Sequence, residues 1–64
     1  MQLLWYDPDL ERYQLGSIEV LRKRMSASSN SDRFVVLFEF EGPGIISEKV
    51  LSSLNGAHAA YSMN

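Results

Sequence analysis

Cysteine is absent from this 64-residue chain, and histidine occurs once, at His58. The absence of cysteine excludes disulfides and thiolate metal sites, and a single histidine excludes an imidazole-rich zinc site. A chain this short buries only about 60% of the surface that its unfolded form exposes, so its stability is low without added support. The remaining sources of support are close packing and association with another chain.

The chain also lacks an excess of positive charge and a long apolar run. Its formal net charge is −2, which argues against a generally basic nucleic-acid-binding protein. No apolar run approaches the roughly 18 residues of a membrane span, so no membrane partner is expected. The N-terminal segment has neither the basic start nor the apolar core of a secretory signal. We expect one small globular domain over residues 1–64, with the cytoplasm as the default location.

A β-hairpin is predicted at the N-terminus. Residues Gln2–Tyr6 have the apolar and aromatic density of a strand, and the following DPDL segment is typical of a turn. Residues Arg12–Leu15 alternate polar and apolar side chains, as a returning strand does. The alternative is a helical turn capped by Asp7 with Pro8 at its first position. The two-residue period of the second segment favours the hairpin.

A helix and a flexible loop follow the hairpin. Ser17 is a suitable N-cap, and the apolar stripe of Ile18, Leu21 and Met25 has helical spacing. The helix is predicted to end near Ser26. Residues 26–32, SASSNSD, are polar throughout and are predicted to form the flexible loop.

The strongest strand of the chain is FVVLFEF, residues 34–40, and Gly42-Pro43-Gly44 is predicted to end it. Ser47 is the predicted N-cap of a second helix, and Asn55-Gly56 its C-cap. Residues 57–64 could extend this helix through Tyr61 or form a tail, and we expect fraying past about Ala60.

The element order is therefore β-β-α-β-α, an α+β fold. A right-handed crossover makes the second and third strands parallel, so the simplest sheet places the first strand between them. We predict a three-stranded antiparallel sheet in the order 2-1-3, with two helices packed on one face. The face assigned to this core carries the largest apolar groups: Leu3, Trp5, Tyr13, Leu15, Phe34, Val36, Phe38 and Phe40.

The opposite face would then meet water. Its apolar members are Leu4, Tyr6, Val35 and Leu37, with Arg12 and Glu39 at the rim. An exposed apolar patch with a polar rim marks an interaction site, and a symmetric dimer is the commonest closed assembly. The alternative is that a helix or the C-terminal tail covers this face. On the dimer interpretation, Leu37→Glu converts a dimer to a monomer with loss of stability.

Few residues of the sequence are arranged as a metal, cofactor or catalytic site requires. Asp7, Asp9 and Glu11 resemble the start of a calcium loop, but Arg12 stands where that loop needs glycine. The Gly42–Gly44 segment lacks both the dinucleotide and the P-loop pattern, so no cofactor is predicted. His58 is a conceivable general base, but no nucleophile or orienting acid is near it in sequence.

The function predicted from the sequence is a small non-enzymatic protein-interaction module that self-associates through the open face of its sheet. One alternative is a weak nucleic-acid-binding module that uses Arg22-Lys23-Arg24 and aromatic residues of the sheet. Another is a subunit of an enzyme whose site forms across an interface. That hypothesis predicts a concave polar cleft near His58 or near the Asp7–Glu11 loop.

Overall fold

The computed structural model describes residues 1–41 and 44–62. Two predicted features fall partly outside this range: the Gly42-Pro43 part of the strand end, and Met63-Asn64 of the predicted tail. The elements are β1 (Gln2–Asp7), β2 (Arg12–Gly16), α1 (Ile18–Ala27), a 3₁₀ turn (Ser31–Arg33), β3 (Val35–Phe40) and α2 (Ile45–Ser62).

The predicted α+β fold is confirmed in its element order and its sheet. The sheet has the strand order β2-β1-β3. Strand β1 lies at the centre and pairs antiparallel with both neighbours. A hairpin places β2 beside β1, and α1 carries the chain across the sheet to β3 on the other side.

Asp7 organises the turn between β1 and β2. Its Oδ1 accepts hydrogen bonds from the backbone amides of Asp9 at 3.0 Å and Leu10 at 3.2 Å. Its Oδ2 lies 2.8 Å from Nε of Arg24 in α1. Glu11 closes the turn with a φ of 52°, in the left-handed region that few non-glycine residues adopt. The turn is therefore attached to α1 by a charged pair.

Helix α1 begins where the sequence predicts. The side chain of Ser17 accepts a hydrogen bond from the Val20 amide, the bond expected of an N-cap. The helix continues to Ala27, one residue beyond the predicted end. The segment predicted as a flexible loop, residues 26–32, is shorter, because the 3₁₀ turn occupies its last part.

Helix α2 is longer at both ends than predicted. It starts at Ile45, so Ser47 lies inside its first turn, where its Oγ donates to the Gly44 carbonyl at 2.8 Å. It also continues through Asn55 and Gly56 to Ser62, so the predicted C-cap was wrong, and the helix follows the alternative of an extension through Tyr61. Asn55 does not end the helix because its side chain bonds to β2 instead.

The register of the hairpin overturns the predicted assignment of the faces. Leu4 pairs with Leu15 and Tyr6 pairs with Tyr13, so Tyr13 and Leu15 share a face with Leu4 and Tyr6, not with Trp5. A strand register that differs by one residue moves every side chain to the other face. The register between β1 and β3 also shifts between Leu4 and Trp5, and this shift moves the later residues of β3 to the other face. Because of this shift, Phe38 and Phe40 lie on the face of Leu4 rather than that of Trp5.

The two helices contact opposite faces of the sheet, which corrects the predicted placement on one face. On the first face, Leu21 of α1 forms the core with Leu3 and Trp5, and Met25 and Phe34 pack against it. On the second face, His58 of α2 contacts the ring of Tyr6 at a centroid distance of 5.5 Å. Successive residues of a strand point to opposite faces, so Trp5 and Tyr6 cannot meet the same helix. We call these the α1 face and the α2 face.

Candidate interaction surface

Strand β3 is the most apolar strand of the sheet and the most exposed. The exposed fractions are 55% for Val35, 47% for Val36, 36% for Leu37 and 55% for Phe38. We call these four residues the β3 surface. Single exposed apolar residues are ordinary, but Val35, Leu37 and Phe38 share the α2 face of one strand, and a group of exposed apolar side chains of this kind marks a contact site.

The positions of the helices explain this exposure. With one helix on each face, a single helix would have to cover all three strands of that face. On the α2 face, α2 lies over β2 and not over β3. The middle of the central strand is sheltered, with Leu3 at 4%, Leu4 at 0% and Trp5 at 1% exposure. Within residues 1–41 and 44–62, β3 has β1 on one side and no strand on the other. The β3 surface is therefore exposed on both faces and along its edge.

The six residues predicted to form the contact do not meet on one open surface. Leu4 is 0% exposed, so its predicted role at a contact is wrong. Tyr6 is half-buried under α2, whereas Val35 and Leu37 are exposed as predicted. Arg12 lies on β2 at the far side of the sheet, and Glu39 pairs with Leu3 on the α1 face. Of the apolar residues predicted to form the contact, only Val35 and Leu37 on β3 are therefore exposed.

An aromatic cluster borders the β3 surface on the α2 face. Tyr6 and Tyr13 meet edge to face at 5.2 Å, and His58 lies 6.1 Å from Tyr13. With Val35 and Leu37, these three rings line a shallow cavity of about 340 Å³. Edge-to-face packing of this kind stabilises ring pairs beyond the area they bury. The sequence placed His58 in a tail and missed this role, because only the length of α2 carries the imidazole to the sheet.

The apolar surface extends from β3 to the start of α2. Ile45 and Ile46 are 73% and 74% exposed. They line a cavity of about 430 Å³ with Phe40, Glu41, Gly44 and Ser47. The surface predicted from the sequence did not include these two isoleucines. Two consecutive isoleucines beside a helix start were the available signal.

The Asp7 carboxylate is committed within the fold and is not available as a calcium ligand. Its burial raises its pKa, but the hydrogen bond from Arg24, the amides of Leu10 and Asp9 and the charge of Arg24 outweigh burial, so the pKa lies below its usual value. Among the described residues, no group of three or more acidic, histidine or cysteine side chains is placed to hold a metal.

The ion pair with Asp7 also removes one cation from the basic run of α1 that the nucleic-acid hypothesis uses. Arg24 pairs with Asp7, which leaves Arg22 and Lys23 exposed. The aromatic residues of β1 and β2 are not available for stacking on bases, because Trp5 is 1% exposed and Tyr6 and Tyr13 pack against His58. The geometry does not favour the nucleic-acid hypothesis.

A third concavity lies near the hairpin turn, where the enzyme hypothesis placed it. It has a volume of about 460 Å³ and is lined by Leu10, Glu11, Arg12, Asn55, His58 and Ala59. Glu11 and Arg12 are exposed, so their charges are solvated. The imidazole of His58 packs edge to face against the rings of Tyr6 and Tyr13. Catalytic groups usually act in sites that exclude water, whereas Leu10, Glu11, Arg12 and Ala59 of this cleft are exposed.

Comparisons with protein-family models, with curated proteins and with solved structures found nothing that matches this chain. No helix among the residues described is long and apolar enough to cross a membrane.

Proposed function

We propose that this chain is a small non-enzymatic protein-interaction module that self-associates through the β3 surface. The observation that carries the proposal is the exposure of four consecutive apolar residues, Val35 to Phe38, on an edge strand. A monomer gains nothing from leaving these groups in water. The proposed location is the cytoplasm, on the grounds of composition given above.

The energetic case for association rests on the size of the domain. Full burial of a valine, leucine or phenylalanine side chain stabilises by about 1.5–3 kcal/mol. About half of each side chain of the β3 surface is still exposed, so each would contribute roughly 1 kcal/mol on burial. Net stabilities of domains this small are only about 3–5 kcal/mol. Covering the β3 surface is therefore a large gain for this chain.

The test is the mass of the protein in solution. Sedimentation equilibrium of the wild type between about 1 μM and about 1 mM covers the range of moderate affinities. The proposal predicts that the weight-average mass rises from one chain towards two across this range. A mass of one chain throughout would refute it.

A matched pair of variants assigns the contact to β3. Val36 and Val20 are both 47% exposed, but Val36 lies on β3 and Val20 on α1. Val36→Glu places a charge in the proposed contact and should weaken association at least tenfold. Val20→Glu adds the same charge away from it and should leave association unchanged. Equal effects of both variants would contradict the assignment. Leu37→Glu should act like Val36→Glu, with an added loss of stability because Leu37 also lines the aromatic cavity.

A further inference from the structure

The two edges of the sheet are treated differently by the rest of the chain. At the β2 edge, Asn55 of α2 binds the backbone of Tyr13 twice. Its Oδ1 accepts from the Tyr13 amide at 2.7 Å, and its Nδ2 donates to the Tyr13 carbonyl at 3.1 Å. A primary amide thereby occupies the place of an added strand. Covering an edge in this way prevents edge-to-edge pairing.

The β3 edge has no such cover within the described part of the chain. The strand carries no proline or lysine, and its first four residues are uncharged. Proline and lysine are two of the devices with which proteins protect exposed edges; a β-bulge is another, and β3 carries one beside Leu4 that any added strand has to match. The asymmetry between the two edges indicates that β3 is the edge at which another strand pairs.

The Asn55 bonds also fix which groups of β3 point outward. Because the amide and carbonyl of Tyr13 bond to Asn55, they point away from β1, and those of its partner Tyr6 point towards β3. Antiparallel pairs alternate between bonded and non-bonded, so Trp5 and Leu3 bond to β2. Their partners on β3, Val36 and Glu39, then turn their amides and carbonyls to the open edge.

We propose that a second copy of this chain adds its β3 strand, antiparallel, at this edge, with Val36 opposite Glu39 of the partner subunit. This inference rests on the proposed function and states how the two copies meet. The register is the one in which the outward groups of Val36 and Glu39 face each other on both sides of a two-fold axis. The two three-stranded sheets become one sheet of six strands.

The side chains agree with this register. Between the two bonded pairs, Leu37 lies opposite Phe38 of the partner subunit, and beyond them Val35 lies opposite Phe40 of the partner subunit. All four of these residues are apolar, and on each strand they belong to the α2 face. The dimer therefore gains a continuous apolar row across its centre, next to the Tyr6–Tyr13–His58 cluster.

The bulge in β3, between the partners of Leu4 and Trp5, lies within the proposed contact. Because of the bulge, the residues whose amides and carbonyls point outward, Val36 and Glu39, are three positions apart instead of two. The two strands of a two-fold dimer have the same spacing, so both pairs of outward residues can bond.

Disulfide trapping tests the register, and the chain has no cysteine of its own to interfere. A non-bonded antiparallel pair has a Cα separation of about 4.5 Å, within the range that a disulfide spans. An equimolar mixture of Val35→Cys and Phe40→Cys should form the mixed crosslinked dimer at least tenfold faster than either variant crosslinks to itself. In the proposed register, the two copies of residue 35 lie about 17 Å apart along the strands. A mixture of Val35→Cys and Phe38→Cys is the control for a shifted register.

Amide hydrogen exchange of the wild type gives a readout that needs no substitution. The exchange of Val36 and Glu39 should slow at least tenfold as concentration rises through the association range. The Tyr13 amide, bonded to Asn55, should be equally protected at every concentration. Association with no added protection at Val36 and Glu39, or with fastest crosslinking in the control mixture, would overturn the inference and leave the proposed function standing. A wild type that stays monomeric would refute both. If a cysteine variant loses its wild-type circular dichroism spectrum, the exchange result decides.

Discussion

Replacing Asn55 by alanine should destabilise this protein, although alanine is the better residue for a helix. In α2, the Asn55 side chain makes the hydrogen bonds of 2.7 and 3.1 Å to the backbone of Tyr13. These are hydrogen bonds between residues 42 positions apart. They connect the last strand of the hairpin to the C-terminal helix, and alanine removes both.

The size of the loss follows from the two bonds and one opposing effect. A neutral hydrogen bond contributes about 0.5–1.5 kcal/mol net, so two contribute about 1–3 kcal/mol. The substitution recovers up to about 0.7 kcal/mol of helix propensity, since asparagine is a poorer helix former than alanine. With the two bonds at the middle of that range, about 2 kcal/mol, the expected net loss is about 1–2 kcal/mol, a large fraction of the stability of a domain this small.

Urea denaturation monitored by circular dichroism measures this loss. With a slope of about 1 kcal/mol per molar urea, the midpoint of Asn55→Ala should fall by about 1–2 M. Ser53→Ala is the control, because Ser53 is an exposed residue of the same helix. It changes helix propensity in the same direction and should leave the midpoint unchanged or slightly raised.

The Tyr13 amide supplies the second readout. Its hydrogen exchange should accelerate in Asn55→Ala, because its acceptor is gone, and remain slow in Ser53→Ala. The reasoning is refuted if Asn55→Ala unfolds at the wild-type urea concentration while its Tyr13 amide stays protected. That result would mean that water or another group replaces the Asn55 amide at no cost.

Three further predictions concern the pKa of Asp7 and the glycines at positions 56 and 16. Because the pKa of Asp7 is lower in the folded protein than its ordinary value of 3.8, its contribution to stability is complete above that value and is lost as the pH falls through the folded pKa. The thermal midpoint should therefore fall less for Asp7→Asn than for the wild type between about pH 5 and about pH 2, and equal decreases would contradict this. Gly56 lies in α2 with open space around its Cβ position, so Gly56→Ala should stabilise by about 0.5–1 kcal/mol in urea denaturation. At Gly16 a Cβ would meet the Trp5 ring at 3.2 Å, so the larger Gly16→Val should destabilise by about 1–3 kcal/mol, and a neutral result would show that the ring can move.

Local sequence patterns are sufficient to predict the kinds and the order of the elements. A two-residue period, a proline turn, a serine N-cap and a continuous apolar run are local signals, and each depends only on neighbouring residues. The strand order could also be predicted, because the handedness of a crossover limits the arrangements of three strands. The apolar character of Val35 and Leu37 was visible in the same way, and it identified the half of the candidate surface that is exposed.

The face of the sheet to which each side chain of β2 and β3 points depends on contacts that form only in the folded chain. The faces of β2 depend on one residue of register in the hairpin, and those of β3 on a bulge beside Leu4, neither of which has a reliable local signal. The length of α2 depends on Asn55 and His58 finding partners on the sheet, far away in sequence. Once the helices lie on opposite faces, neither covers β3. Local periodicity could assign a strand to residues 34–40, but only the packing of both helices leaves that strand exposed.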